Sequence, residues 1–176
     1  STYEVAAVYG GGNLAPYKAT GKKTYVIING CGKTSIETVY GGGNAAAVPE
    51  AKVDINGTYE IGAVFGGGNG KDKYKSDAGW VPNPGANIGK TVDGEVIGNG
   101  NTTTWIYGGT VHAAYGASNE KGTITGNVLI DVGTVAETDL NYCKLDVGKV
   151  VGAGKNADVN GDIITILGCK PDEEIP

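Results

Sequence analysis

Apolar and polar residues alternate along this chain in short runs that end in glycine. In Val53-Asp54-Ile55-Asn56-Gly57 the apolar side chains fall on one face of a strand and the polar ones on the other. Val26-Ile27-Ile28-Asn29-Gly30, Val128-Leu129-Ile130-Asp131-Val132-Gly133 and Ile164-Thr165-Ile166-Leu167-Gly168 follow the same pattern or close to it, with the same closing glycine. A second type of run ends in an aromatic residue, three glycines and an asparagine. It is seen in Val8-Tyr9-Gly10-Gly11-Gly12-Asn13, Val39-Tyr40-Gly41-Gly42-Gly43-Asn44 and Val64-Phe65-Gly66-Gly67-Gly68-Asn69. Worn copies run from Ala114 to Asn119 and from Val150 to Asn156, and Val5, Ile36, Ile61, Val111 and Val147 stand three places before each. No segment has the i, i+3, i+4, i+7 apolar spacing of a capped helix.

The two types of run alternate and recur every ~25 residues, the signature of stacked repeats. Two strands and two turns then make one coil, and successive coils pair as parallel strands. Sandwiches and up-and-down barrels need hairpins, and tight Asn-Gly turns between alternating strands are scarce. The expected fold is all-β: a parallel β-helix (β-solenoid) of about five or six coils. Residues 1–169 form the solenoid domain. Residues 70–90 make a polar, Pro- and Gly-marked surface excursion, 91–110 an irregular coil, and 170–176 a tail or linker. The first strand-like segment, Tyr3 to Tyr9, belongs to the second strand of a repeat. The N-terminal face is therefore expected to dock on another copy or on neighbouring repeats of a longer chain.

The glycine runs are expected to supply positive φ and close backbone approach at a repeated corner. Asn13, Asn44, Asn69, Asn119 and Asn156 are expected to lie above one another as a hydrogen-bonded ladder, with asparagine tolerating the left-handed region. Tyr9, Tyr40, Phe65 and Tyr115 stack beside it. Strict alternation turns these rings inward with Ile36 and Ile61, and a bulge at Thr38 or Ala63 turns them outward.

Composition narrows the function classes. The chain has 32 glycines among 176 residues, no Arg, and a net charge of −5 with its 14 lysines scattered. Nucleic-acid binding calls for a basic stripe and is not expected. No apolar run approaches the ~20 residues that span a bilayer, so membrane insertion is not expected. Cys31, Cys143 and Cys169 lack the spacing of a zinc site. Gly133 and Gly168 end equivalent strands, which places Cys169 over the corner leading to Cys143, and a Cys143–Cys169 bridge is expected there.

The candidate chemistry is sparse. Glu37, Asp54, Glu60, Asp131 and Asp146 alternate outward and read as a solvated face, with Glu37 and Glu60 a candidate carboxylate pair. His112 aligns with Glu37 and Gly62 and has no nucleophile beside it. Asp158-Val159-Asn160-Gly161-Asp162 matches the start of a calcium loop, but Ile163 and Cys169 stand where glycine and a carboxylate are needed. The segment reads as a turn, and neither metal nor cofactor is expected. Trp80 and Tyr74, beside Asp72, Asp77 and Asn83, suit stacking on a sugar ring with polar groups at its edge. The alternative is that Trp80 folds back over the stack.

V-x-I-x-G followed by V-x-x-V-Y-G-G-G-N resembles the Gly-rich β-helical repeats of secreted and surface-attached bacterial proteins termed adhesin-like. The resemblance covers most of residues 3–168 outside the excursion. It implies a right-handed parallel β-helix, a secreted or cell-surface location, and a structural or adhesive role, and it carries over no catalytic residue. The alternative reading is a carbohydrate-binding or degenerate polysaccharide-active β-helix, with glycans as partners.

Overall fold

A computed structural model describes residues 3–133 and 143–168. The tail at 170–176 and Cys169 lie outside the described residues. The described chain is all-β, with no helix among these residues. Its strands are β1 (Val5–Tyr9), β2 (Thr24–Ile28), β3 (Ser35–Tyr40), β4 (Ala51–Ile55), β5 (Glu60–Phe65), β6 (Tyr74–Ser76), β7 (Gly79–Val81), β8 (Thr102–Ile106), β9 (Thr110–Tyr115), β10 (Val128–Val132), β11 (Asp146–Val147), β12 (Val150–Val151) and β13 (Ile163–Leu167).

Strands alternate between two parallel sheets. The first runs β1-β3-β5-β9, with β11 and β12 both on the far side of β9; the second runs β2-β4-β8-β10-β13. A third column of single parallel bridges links Val48, Ile88, Ile124 and Val159. Each tier thus passes from the first sheet, through the glycine corner, past the bridge column, into the second sheet. β8 pairs with both β4 and β10 through all five positions, so the irregular stretch expected at 91–110 regains full register by Thr102.

Alternation explains the second sheet. Val26, Val53, Thr104 and Ile130 point inward and stack in register, as do Ile28, Ile55, Ile106 and Val132. They meet Ile36, Val39, Ile61, Val64, Val111 and Ala114 of the first sheet in one core. Thr24 and Thr102 also point inward, and their hydroxyls donate to the Gly41 and Gly116 carbonyls at 2.6 and 2.8 Å. That removes the cost of burying a hydroxyl.

The first sheet breaks alternation in the same place in every tier. Ile36 and Val39, three residues apart, both face the core, as do Ile61 and Val64, and Val111 and Ala114. The pairing skips Glu37, Gly62 and His112. This repeated bulge turns Tyr40, Phe65 and Tyr115 to the outer side, where they pack with Ala7, Ala63 and Ala113.

The corner glycines are there for space alone. None of Gly10–Gly12, Gly41–Gly43 or Gly66–Gly68 has positive φ, and no described non-glycine residue does, so the expected left-handed asparagines are not formed. A Cβ on Gly66 would strike the Gly116 carbonyl oxygen of the next tier and the Thr104 hydroxyl. Gly41 stands in the same relation to Gly66. Parallel tiers come this close only where side chains are missing.

Candidate functional site

The glycine corner delivers one asparagine per tier to the same spot. Asn44 Nδ2 donates to Asn13 Oδ1 at 2.8 Å, Asn69 Nδ2 to Asn44 Oδ1 at 2.8 Å, and Asn119 Nδ2 to Asn69 Oδ1 at 2.9 Å. In the last tier the Asn156 backbone N–H donates to the Asn119 carbonyl at 2.7 Å, but its side chain turns to Glu120 Oε2, also at 2.7 Å. Beside this ladder the rings of Tyr9, Tyr40, Phe65 and Tyr115 stack at centroid spacings of 4.8, 5.2 and 4.8 Å, within 10° of parallel. Each ring covers its neighbour's face, so the column offers mainly edges to solvent. Burial, reinforced by Tyr40 and Asp72, pushes the Tyr9 phenol up to about 12, and burial raises Tyr40 as well.

The excursion is fastened to this ladder. Asn69 Nδ2 also donates to Asp72 Oδ2 at 2.9 Å, and Gly70 N–H to the Asn44 carbonyl at 2.9 Å. Asn83, only 3% exposed, donates from Nδ2 to the Asn44 and Asp72 carbonyls at 3.0 and 3.2 Å, and its Oδ1 accepts from Gly85 N–H. Beyond this clip β6 and β7 form an antiparallel hairpin in which Lys75 lies opposite Trp80. Both are exposed, Trp80 at 71%, so the ring stands in solvent and does not fold back over the stack. Tyr74 lies on the opposite face of the hairpin, half-buried, and Asp77 is exposed in its turn. The four candidate ligand residues therefore do not converge on one point: Asp77 is exposed in the turn, Trp80 is exposed along β7, and Asn83 is part of the clip.

Two cavities flank the base of the excursion and share Lys71. One, of about 430 Å³, is lined by Gly70, Lys71, Lys73, Asn83, Glu120 and Lys121, with Pro82 at its rim. The other, of about 380 Å³, runs along the edges of Tyr9, Tyr40 and Phe65 and is bounded by Asp72 and Lys155. Sequence reasoning passed over the three lysines of the first cavity as scattered charge. A signal existed, since Lys71 and Lys121 each follow a ladder asparagine, Asn69 and Asn119, by two places.

The other candidates separate. Glu60 pairs opposite Ser35, so it is not level with Glu37, and its Oε1 lies 2.7 Å from His112 Nε2 on the exposed first sheet. Asp54 and Asp131 do alternate outward, but they are 7% and 5% exposed, which corrects the solvated-face reading for both. Trp105 lies between them in register. Tyr25 donates to Asp54, and Lys52 Nζ sits 3.5 Å above the Trp105 ring and 3.7 Å from Asp54. Burial beside Asp131 and Asp54 raises the Tyr107 phenol. The Asp158–Asp162 segment serves the bridge column: the Asp158 carbonyl accepts from Ile124 N–H, and Asp162 N–H donates to Asn127 Oδ1. Among the described residues no cluster of His, Cys, Asp and Glu is arranged to hold a metal, and no helix is long and apolar enough to cross a membrane.

The disulfide differs from the expected pairing. Cys143 bonds to Cys31, with Cα atoms 5.7 Å apart and a sequence separation of 112. The turns that leave the second sheet share one wall, and Cys143 lies on it against Thr58 and Gly108 rather than toward the last tier. Cys31, just after Gly30 in the first of those turns, is its partner, and Cys169 of the expected bridge lies outside the described residues.

No protein family, curated protein or solved structure matches this chain.

Proposed function

We propose that the chain is an extracellular structural or adhesive module, with its two sheets and bridge column as the three faces of a right-handed parallel β-helix. The observation that carries this reading is the contrast between a wall repeated tier by tier and one non-repeating hairpin clipped to it with its tryptophan exposed. A stiff stack that holds one irregular element in solvent suits display and contact. The Cys31–Cys143 bridge supports an oxidising, secreted or cell-surface setting, where such bonds persist. Among the described residues, strands β1 and β2 are paired on one side only, which supports self-association or contact with neighbouring repeats.

The test is to replace residues 71–82 with a short Gly-Ser linker and measure binding of labelled protein to bacterial and host cell surfaces. Loss of binding with an unchanged circular dichroism spectrum supports the adhesive role. Unchanged binding would move the contact to the stack itself. A carbohydrate-binding or degenerate polysaccharide-active β-helix is the second reading, favoured by Trp80. Release of reducing ends from a polysaccharide panel would establish the enzymatic form of it.

A further inference from the structure

The cavity under the excursion has an unusual charge for this protein. Lys71, Lys73 and Lys121 line it against the single carboxylate of Glu120, in a chain of net charge −5. Glu120 is already engaged, by Asn156 Nδ2 at 2.7 Å and by Lys155 Nζ at 3.9 Å. Among the described residues no carboxylate lies within ion-pair distance of Lys71 or Lys73. Lysines that merely solubilise a surface spread apart to lower their mutual repulsion. These three are instead gathered around one cavity by the ladder, which places Lys71 and Lys121 in adjacent tiers.

The floor is rigid. Gly70, at φ +66°, packs on the Lys121 backbone so closely that no side chain fits there. Ala86 N–H donates to the Lys121 carbonyl at 2.9 Å, and Asn83 is held by the bonds of the clip. The backbone under the lysines is therefore preformed, and Lys121 Nζ donates to the Asn83 carbonyl at 3.4 Å at the cavity wall, which lowers part of the ordering cost of binding. Trp80, two residues before Pro82 on the same excursion, presents its ring to solvent.

We propose that this cavity binds the anionic group of an acidic polysaccharide, a carboxylate or sulfate held among Lys71, Lys73 and Lys121, while an adjoining sugar ring stacks on Trp80. The proposal deepens the adhesive reading and rests on it. A flat exposed indole two residues from the cavity wall favours a sugar over an acidic peptide. Lysine's three donors suit an anion approached from several directions.

Binding of the intact, disulfide-bonded chain would be measured by calorimetry. The probes are an oligogalacturonate, a chondroitin sulfate oligosaccharide, a neutral galactan, poly-glutamate and inorganic sulfate. The expected result is binding to one or both acidic glycans, at least tenfold weaker in Lys71→Gln/Lys73→Gln and weaker at raised salt. The galacturonate and chondroitin arms separate a carboxylate from a sulfate ligand. Trp80→Ala should weaken glycan binding and leave any binding of inorganic sulfate unchanged. Equal binding by the double variant would overturn the site while leaving the adhesive reading standing. Preference for the neutral galactan or for poly-glutamate, or binding of free sulfate alone, would overturn the ligand class. Silence on every probe together with no cell-surface binding would overturn both proposals.

Discussion

The glycine corner and the excursion that leaves it at Gly70 are built on opposite principles. At the corner the first three tiers repeat position by position, so glycine lies over glycine, asparagine over asparagine and ring over ring. Until the last tier, where Asn156 turns to Glu120 and Val151 follows Tyr115, the asparagines and rings are partnered by their own kind, and little is left for a ligand. Between Lys71 and Pro82 nothing repeats, and the segment is fastened to the stack at its base, through Asp72 and Asn83. The comparison teaches that repetition in this chain marks what holds the stack together. Departures from it, clamped at the foot and free at the tip, mark where contact with other molecules belongs.

The largest effect that would sharpen the contrast is loss of the disulfide. Closing a loop across 112 residues stabilises the chain by about 4–5 kcal/mol through the unfolded state. Cys31→Ser should lower the urea midpoint accordingly, and Cys143→Ser by the same amount, because either removes the one bond. Equal midpoints with and without reductant would contradict the pairing. Next comes Gly66→Val, whose added carbons meet the Gly116 carbonyl and the Thr104 hydroxyl, at a cost of about 3 kcal/mol. Lys73→Val in the excursion should shift stability by less than ~0.5 kcal/mol. Similar shifts for the two would break the comparison.

A smaller loss, about 2 kcal/mol, is expected for Asn69→Ala, because it strands the Asn44 and Asn119 amides in the ladder and frees Asp72. Urea titration of the variant checks it. The smallest effect is alkaline. Above pH 10 the unfolded chain loses the Tyr9 proton first, while the native state holds it up to about 12. Stability is therefore fully present below pH 10 and falls as pH rises from about 10 to 12. Tyr40 shifts in the same direction. Tyr9→Phe should flatten the fall, and an unchanged alkaline slope would assign it to other groups.

Repetition also decided what was legible in the sequence. The two strand types, the parallel register and the positions of the ladder asparagines can be read because each is written several times over. The outward turn of the rings could not be chosen, since the bulge falls on Ala6, Glu37, Gly62 and His112, which share no side-chain signature. The burial of Asp54 and Asp131 was missed because alternation gives the direction of a side chain but not what covers it. The Cys31–Cys143 pairing was not read because strand register compares a corner only with the tier next to it, while the wall of turns brings the first tier's Cys31 to Cys143. The lysine cavity needed the ladder itself before Lys71 and Lys121 became neighbours.

The most direct measurement concerns the register on which the whole account depends. Tyr25, Lys52, Thr103, Leu129 and Ile164 lie in one row across the second sheet, and the two ends of that row are exposed. Spin labels at Tyr25→Cys and Ile164→Cys, with Cys169→Ser and the native disulfide intact, report the length of the row by dipolar spectroscopy. Four steps of parallel pairing predict a single narrow distribution of backbone separation at about 19 Å. A broad distribution, or one centred well beyond that spacing, would contradict the stacked parallel arrangement.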